Sequence, residues 1–221
     1  LIVFLSLLCA PSLAQTSPAA VAAKRYRQTH EHEIMAEYVR LLSIPNVASD
    51  TANIGRNANL IVQMLERRGV KTRLLEIPEA PPVVYGEIMT PGATRTLIFY
   101  VHYDGQPVEP AKWVGGDPFK PTLRSAAIDA GGKDIPFPAK GQPFNPEWRL
   151  YARSTGDDKA PVIAICAALD ALKANNITLN ANIKFFFEGE EEAGSPHLEK
   201  IVEKYRDLLK ADAWLICDGP V

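Results

Sequence analysis

The chain reads as an α/β fold, a mixed β-sheet flanked by helices, and three features of its 221 residues lead there. Segments with apolar residues at helical spacing alternate with short apolar runs of strand length. Their order is helix, helix, strand, strand, strand, with helices again downstream, which suits helices covering a sheet. The composition, 47% hydrophobic and 23% charged with a formal net charge of −2, supplies ample apolar material for a core. That near-neutral charge gives no footing to nucleic acid or a membrane surface as partner. No internal apolar run reaches the ~18–20 residues of a spanning helix.

Residues 1–14 read as the apolar region and cleavage site of a secretory signal, with Ser12 and Ala14 as the small residues. A buried strand is the alternative. No start Met or basic segment precedes this run, so the chain is expected to begin partway into its gene product. Cleavage after Ala14 would leave an exported protein, periplasmic or extracellular, without membrane attachment. Lipidation at Cys9 is disfavoured by the large Leu8 before it. Residues 15–27, rich in Ala, Ser and Thr, read as a flexible leader. Cys166 and Cys217 would remain after cleavage; both fall in apolar patterns and read as small core residues. Two cysteines make no disulfide framework, so export rests on the signal segment alone.

Within 31–43, Ile34, Met35, Tyr38, Val39, Leu41 and Leu42 share a helical face that Pro45 ends. A second helix over roughly 53–68 carries Leu60, Ile61, Met64 and Leu65 and stops at Gly69. Strands are expected over about 70–77, 83–89 and 96–101. Residues 105–149 are rich in Pro and Gly without a clear period, and 124–146 look like an insertion. A short strand at 149–152 precedes a helix with Val162, Ile165, Cys166, Leu169 and Leu172 at helical spacing. The run 182–187 reads as a strand buried on both faces. Ser195 and Pro196 then open a helix with Leu198, Ile201, Val202, Tyr205, Leu208 and Leu209 on one face. Residues 213–217 close the chain as a further buried-type strand.

Chemistry gathers at the ends of these strands. His102 and Asp104 follow the run at 96–101, Asp157 and Asp158 open a helix, and Asp218 follows 213–217. After Phe187 come Glu188, Glu190, Glu191 and Glu192, four acids within five residues. Taken singly each has a plain reading: a solvated acidic turn, a helix N-cap, a satisfied core histidine. Together they differ, because ligands in open α/β sheets bind outside the carboxyl ends of strands. Like charges so crowded repel unless a cation sits among them. Imidazole with carboxylates is the donor set of zinc or manganese, not of calcium or an iron–sulfur cluster.

The motifs Val101-His102-Tyr103-Asp104-Gly105-Gln106-Pro107-Val108, Ser154-Thr155-Gly156-Asp157-Asp158-Lys159, Phe187-Glu188-Gly189-Glu190-Glu191-Glu192-Ala193-Gly194-Ser195 and Asp218-Gly219 carry a resemblance. In order and spacing they resemble the dinuclear-zinc metallopeptidases. That family includes carnosinase, cytosolic non-specific dipeptidase, carboxypeptidase G, aminoacylase-1, acetylornithine deacetylase and succinyl-diaminopimelate desuccinylase. The dipeptidase branch looks nearest. The resemblance implies two Zn2+ ions, with Mn2+ or Co2+ as alternatives, and assigns the residues. His102 would bind one zinc with Asp104 holding its imidazole, Asp157 would bridge, Glu192 would bind the second zinc, and Asp218 would complete the first. Glu191 would be the general base. Residues 28–221 would form the N-terminal part of the catalytic domain.

The implied substrate is a dipeptide or short peptide, with an N-acyl-amino-acid deacylase as the alternative. A binding homologue without catalysis is disfavoured, because Glu191 and the expected ligands are present. The resemblance also implies a later His ligand and a lid and dimerisation domain, neither within these 221 residues, and a homodimer through that domain. Expressed alone, this stretch is expected to bind metal incompletely and not to turn over. Three positions depart from the family's pattern: Ala152-Arg153-Ser154 in place of Gly-Arg-Gly, Ala160 in place of Gly, and Gly105 in place of Val.

Overall fold

The computed structural model describes residues 17–219, so the signal-segment reading at 1–14 lies outside the described residues. Two helices, α1 (Pro18–Thr29) and α2 (Glu31–Leu42), lead into α3 (Thr51–Glu66). Then follow β1 (Lys71–Leu75), β2 (Val83–Ile88), β3 (Thr96–His102), β4 (Thr122–Arg124), β5 (Arg149–Tyr151), α4 (Lys159–Ala174), β6 (Asn182–Glu188), α5 (Leu198–Lys204) and β7 (Ala213–Ile216).

Among the described residues one sheet has five strands in the order β1-β2-β6-β3-β7. The β1–β2 and β2–β6 pairings are antiparallel, while β6–β3 and β3–β7 are parallel. This is the mixed sheet expected. All seven residues of β6 are buried. Side chains alternate across it as a strand demands: Phe185 and Phe187 join Ile61, Met64, Val101 and Val162 on one face. Phe186 joins Tyr85, Ile98, Tyr100 and Ile201 on the other. Lys184, also buried, is satisfied because its Nζ donates to the carbonyls of Leu208 and Lys210, each at 2.7 Å.

Two expectations need correction. Residues read as a flexible leader at 15–27 are helical from Pro18, because Ser17 caps Ala20, Pro18 opens the helix, and α1 lies against α4. Residues 213–216 form β7, which pairs with β3 at the edge of the sheet among the described residues. The helix after Ser195 begins only at Leu198 and ends at Lys204. Leu208 and Leu209 still pack on the core from the turns beyond, while Val202 is left exposed.

The irregular stretch after β3 is pinned at both ends. β4 and β5 pair antiparallel, and Arg124 forms an ion pair with Asp134 at 2.9 Å. The segment between them touches α2, where Glu31 accepts the Phe144 N–H at 2.9 Å and His32 meets the Gln142 carbonyl at 2.8 Å.

Candidate metal centre

Register places the site. β3 and β6 run parallel with His102 opposite Glu188, so the chain leaves both strands on the same side. β7 runs parallel to β3 and delivers Asp218 there as well. The loop before α4 brings Asp157 over the same strand ends. His102, Asp104, Asp157, Glu191, Glu192 and Asp218 are thus brought together from four separate stretches.

His102 is buried and forms the centre. Its Nε2 lies 2.8 Å from Asp157 Oδ1, 3.7 Å from Glu191 Oε2 and 4.0 Å from Asp218 Oδ2. Its Nδ1 lies 3.3 Å from Asp104 Oδ1. Burial alone would depress the imidazole pKa. The Asp104 carboxylate beside Nδ1 and the charges of Asp158 and Asp157 outweigh it and hold the pKa at about 9. In the metal-free site the ring is therefore a cation balancing carboxylates.

Asp104 is fully buried and does more than face the imidazole. Its two carboxylate oxygens accept the backbone N–H groups of Glu191 at 3.1 Å and Glu192 at 3.0 Å. One side chain thus fixes both the histidine ring and the acidic loop after β6. Gln106 donates to the Glu192 carboxylate. The Glu191 carboxyl is raised, first by burial, with Asp218, Glu192 and Asp104 adding to this and His102 opposing it.

The neighbouring acids divide. Asp158 makes no side-chain cap to its own helix; its Oδ2 accepts the His102 backbone N–H at 3.1 Å. The Asp157–Asp158 peptide is cis. Burial raises the Asp158 carboxyl to about 7. Glu188 accepts the Tyr100 hydroxyl at 2.6 Å. Glu190 is buried rather than solvated, and its carboxylate accepts the His197 backbone N–H at 3.0 Å just before α5, whose start has no side-chain cap from Ser195. Lys159, also missed in the sequence, is buried with its Nζ donating to the carbonyls of Leu41 at 2.9 Å and Ile44 at 3.2 Å. It ties the start of α4 to the end of α2. A buried Lys beside two acids was a signal for such a tie only if it pointed away from them.

The remaining histidines are engaged elsewhere. His30 stacks on Tyr26, His32 meets the loop before β5, and His197 faces Glu190.

Two triads of donor atoms lie within 4.8 Å of one another: His102, Glu191 and Asp218, and His102, Asp157 and Glu192. One buried imidazole ringed by converging carboxylates fits a hard or borderline divalent cation, which would neutralise the crowded acids. The arrangement defines a candidate metal centre on an α/β scaffold.

Comparison with known proteins agrees. Residues 98–221 match the model of peptidase family M20/M25/M40. The chain is 28% identical over 202 residues to the Cys-Gly metallodipeptidase dug1 of Schizosaccharomyces pombe, covering 84% of this chain and 38% of that protein. It is 35% identical over 127 residues to the human Beta-Ala-His dipeptidase, covering 58% of this chain and 21% of that one. The crystal structure of human carnosine dipeptidase 1 superposes with a TM-score of 0.72 at 24% identity, over 93% of this chain and 42% of that one, a likeness of fold. The chain belongs to peptidase family M20/M25/M40. It spans well under half the length of the relatives it matches.

Proposed function

We propose that the protein hydrolyses a dipeptide or short peptide with a metal-activated water. The observation that carries this reading is the sharing of the buried His102 imidazole between two groups of carboxylate donors. Two curated relatives are named for Cys-Gly and Beta-Ala-His dipeptides, which supports the substrate class.

The ions, zinc with manganese or cobalt as alternatives, would be held by His102, Asp157, Glu192 and Asp218; when bound they polarise the scissile carbonyl and acidify water. Asp104 holds the imidazole from its Nδ1 side and keeps Nε2 turned toward the cleft. Asp157 lies 2.8 Å from that Nε2 and within 4.8 Å of a Glu192 oxygen, which suits a shared ligand. Glu191 takes the proton of the attacking water as its oxygen bonds to the carbonyl carbon. It returns that proton to the leaving nitrogen as the C–N bond breaks. Burial raises its carboxyl pKa, which strengthens it as a proton acceptor.

A second assignment, with Glu191 as a ligand, is favoured by its 3.7 Å distance from His102 Nε2. Replacing Glu191 separates the two, since a base can be lost without losing the metal. The substrate class is tested with the product of the complete gene. Turnover of a dipeptide panel, with acetyl- and succinyl-amino acids inert, supports the proposal; the reverse pattern makes it a deacylase. We also propose export, on residues 1–14 alone, to be checked by N-terminal sequencing of the mature protein.

A further inference from the structure

Ser154 stands in a place where its backbone should prefer another residue. Its φ is +61°, the left-handed region that glycine enters without steric penalty. A side chain kept there needs contacts that hold it. Ser154 is buried, and its Oγ accepts the Asn46 Nδ2–H at 2.9 Å and donates to the Asp104 carbonyl at 3.3 Å. Asn46, fully buried, also donates to the Tyr103 carbonyl at 2.8 Å and accepts the Gly105 N–H through its own carbonyl at 2.9 Å. The turn 103–105 is therefore gripped on both sides.

This grip needs space. A Cβ built at Gly105 would lie 2.2 Å from Ser154 Oγ, with Arg153 Cδ and Asn46 Nδ2 each at 3.1 Å. Gly105 is not required by its own φ, which is not positive; what excludes a side chain is the hydroxyl. In the sequence, Gly105 and Ser154 are two unrelated departures from a family pattern. In space they occupy one volume.

We infer that Ser154 is a positioning residue for the Asp104 turn, admitted there by the missing side chain at Gly105. It acts through Asp104, whose carboxylate carries the imidazole contact and the Glu191 and Glu192 N–H groups. Asn46, Ser154 and Asp104 thus link the loop after α2, the loop before α4 and the turn after β3 to the acidic loop after β6. The inference rests on the hydrolase reading for its catalytic consequence only.

The test uses the complete protein. Gly105→Ala should lower the thermal unfolding midpoint by about 5 °C in the wild-type background. In a Ser154→Gly background, where the hydroxyl is gone and glycine suits the backbone, the same change should cost less than half as much. Equal losses in both backgrounds would overturn the shared volume. Ser154→Ala keeps the Cβ and removes the hydroxyl, and Ser154→Gly removes both with a relaxed backbone. In either folded variant kcat on a dipeptide should fall on the order of tenfold with KM within twofold, and the visible spectrum of the cobalt-loaded protein should shift. Unchanged kcat and spectrum would overturn the positioning role. If the wild type hydrolyses no dipeptide, the functional reading fails, while the unfolding cycle still decides whether Gly105 and Ser154 are coupled.

Discussion

The backbone N–H of Glu191 donates to the carboxylate of Asp104 at 3.1 Å, joining two residues far apart in the chain. With the Glu192 N–H on the other oxygen and the His102 ring alongside, Asp104 holds three candidate site residues in one relative position. Such orienting carboxylates commonly account for 10- to 100-fold in metal affinity. Asp104→Ala should weaken zinc binding by about that range, measured by competition with a chromophoric chelator. Asp104→Asn, which retains one acceptor, should lose less. Wild-type affinity in both would mean that the acidic loop holds itself.

Metal binding should compete with protons at His102. With its pKa at about 9, the ring is protonated at neutral pH in the metal-free protein. That ionic contribution to the metal-free fold is complete below the unfolded histidine pKa of about 6.5 and disappears as pH rises through about 9. A cation must displace the same proton, so apparent zinc affinity should climb by up to about tenfold per pH unit and level off above pH ~9. Calorimetry in buffers of different ionisation enthalpy should register about one proton released from this ring. A flat affinity between pH 6.5 and 8.5 would contradict the protonated ring.

Glu190 and Glu192 stand two residues apart and should behave differently. Glu190 is buried against the His197 backbone and ring, so Glu190→Ala should destabilise the fold by about 1–2 kcal/mol while metal stoichiometry is kept. Glu192→Ala removes a donor beside His102 and Asp157, so it should lower metal stoichiometry with little change in stability of the metal-free protein. Metal content and denaturant unfolding of the pair would show an exchange of these roles if the assignment is wrong.

Much of the site was legible because its signals are local. A buried run such as Phe185–Phe187 followed at once by acids marks a strand end, and the three such ends meet because β6, β3 and β7 run parallel. The helices α2, α3 and α4 were legible from apolar spacing. What escaped depends on distant partners. That Asp104 also serves Glu191 and Glu192 follows from the β3–β6 register, which no spacing in either strand reveals. Glu190 is buried only because the chain turns so that the His197 N–H returns to its carboxylate. α1 escaped for a different reason: its Ala-rich run has high helix propensity, but little apolar periodicity to separate it from a leader.

The proposed division of labour has Glu191 move the proton while His102, Asp157, Glu192 and Asp218 hold metal. Its most direct test is Glu191→Gln in the complete protein, with bound metal counted by elemental analysis and dipeptide hydrolysis followed in the same preparation. The prediction is unchanged metal stoichiometry with kcat reduced by about 10²–10⁴-fold. Loss of a metal ion together with activity would make Glu191 a ligand, and retained hydrolysis would remove it from the chemistry.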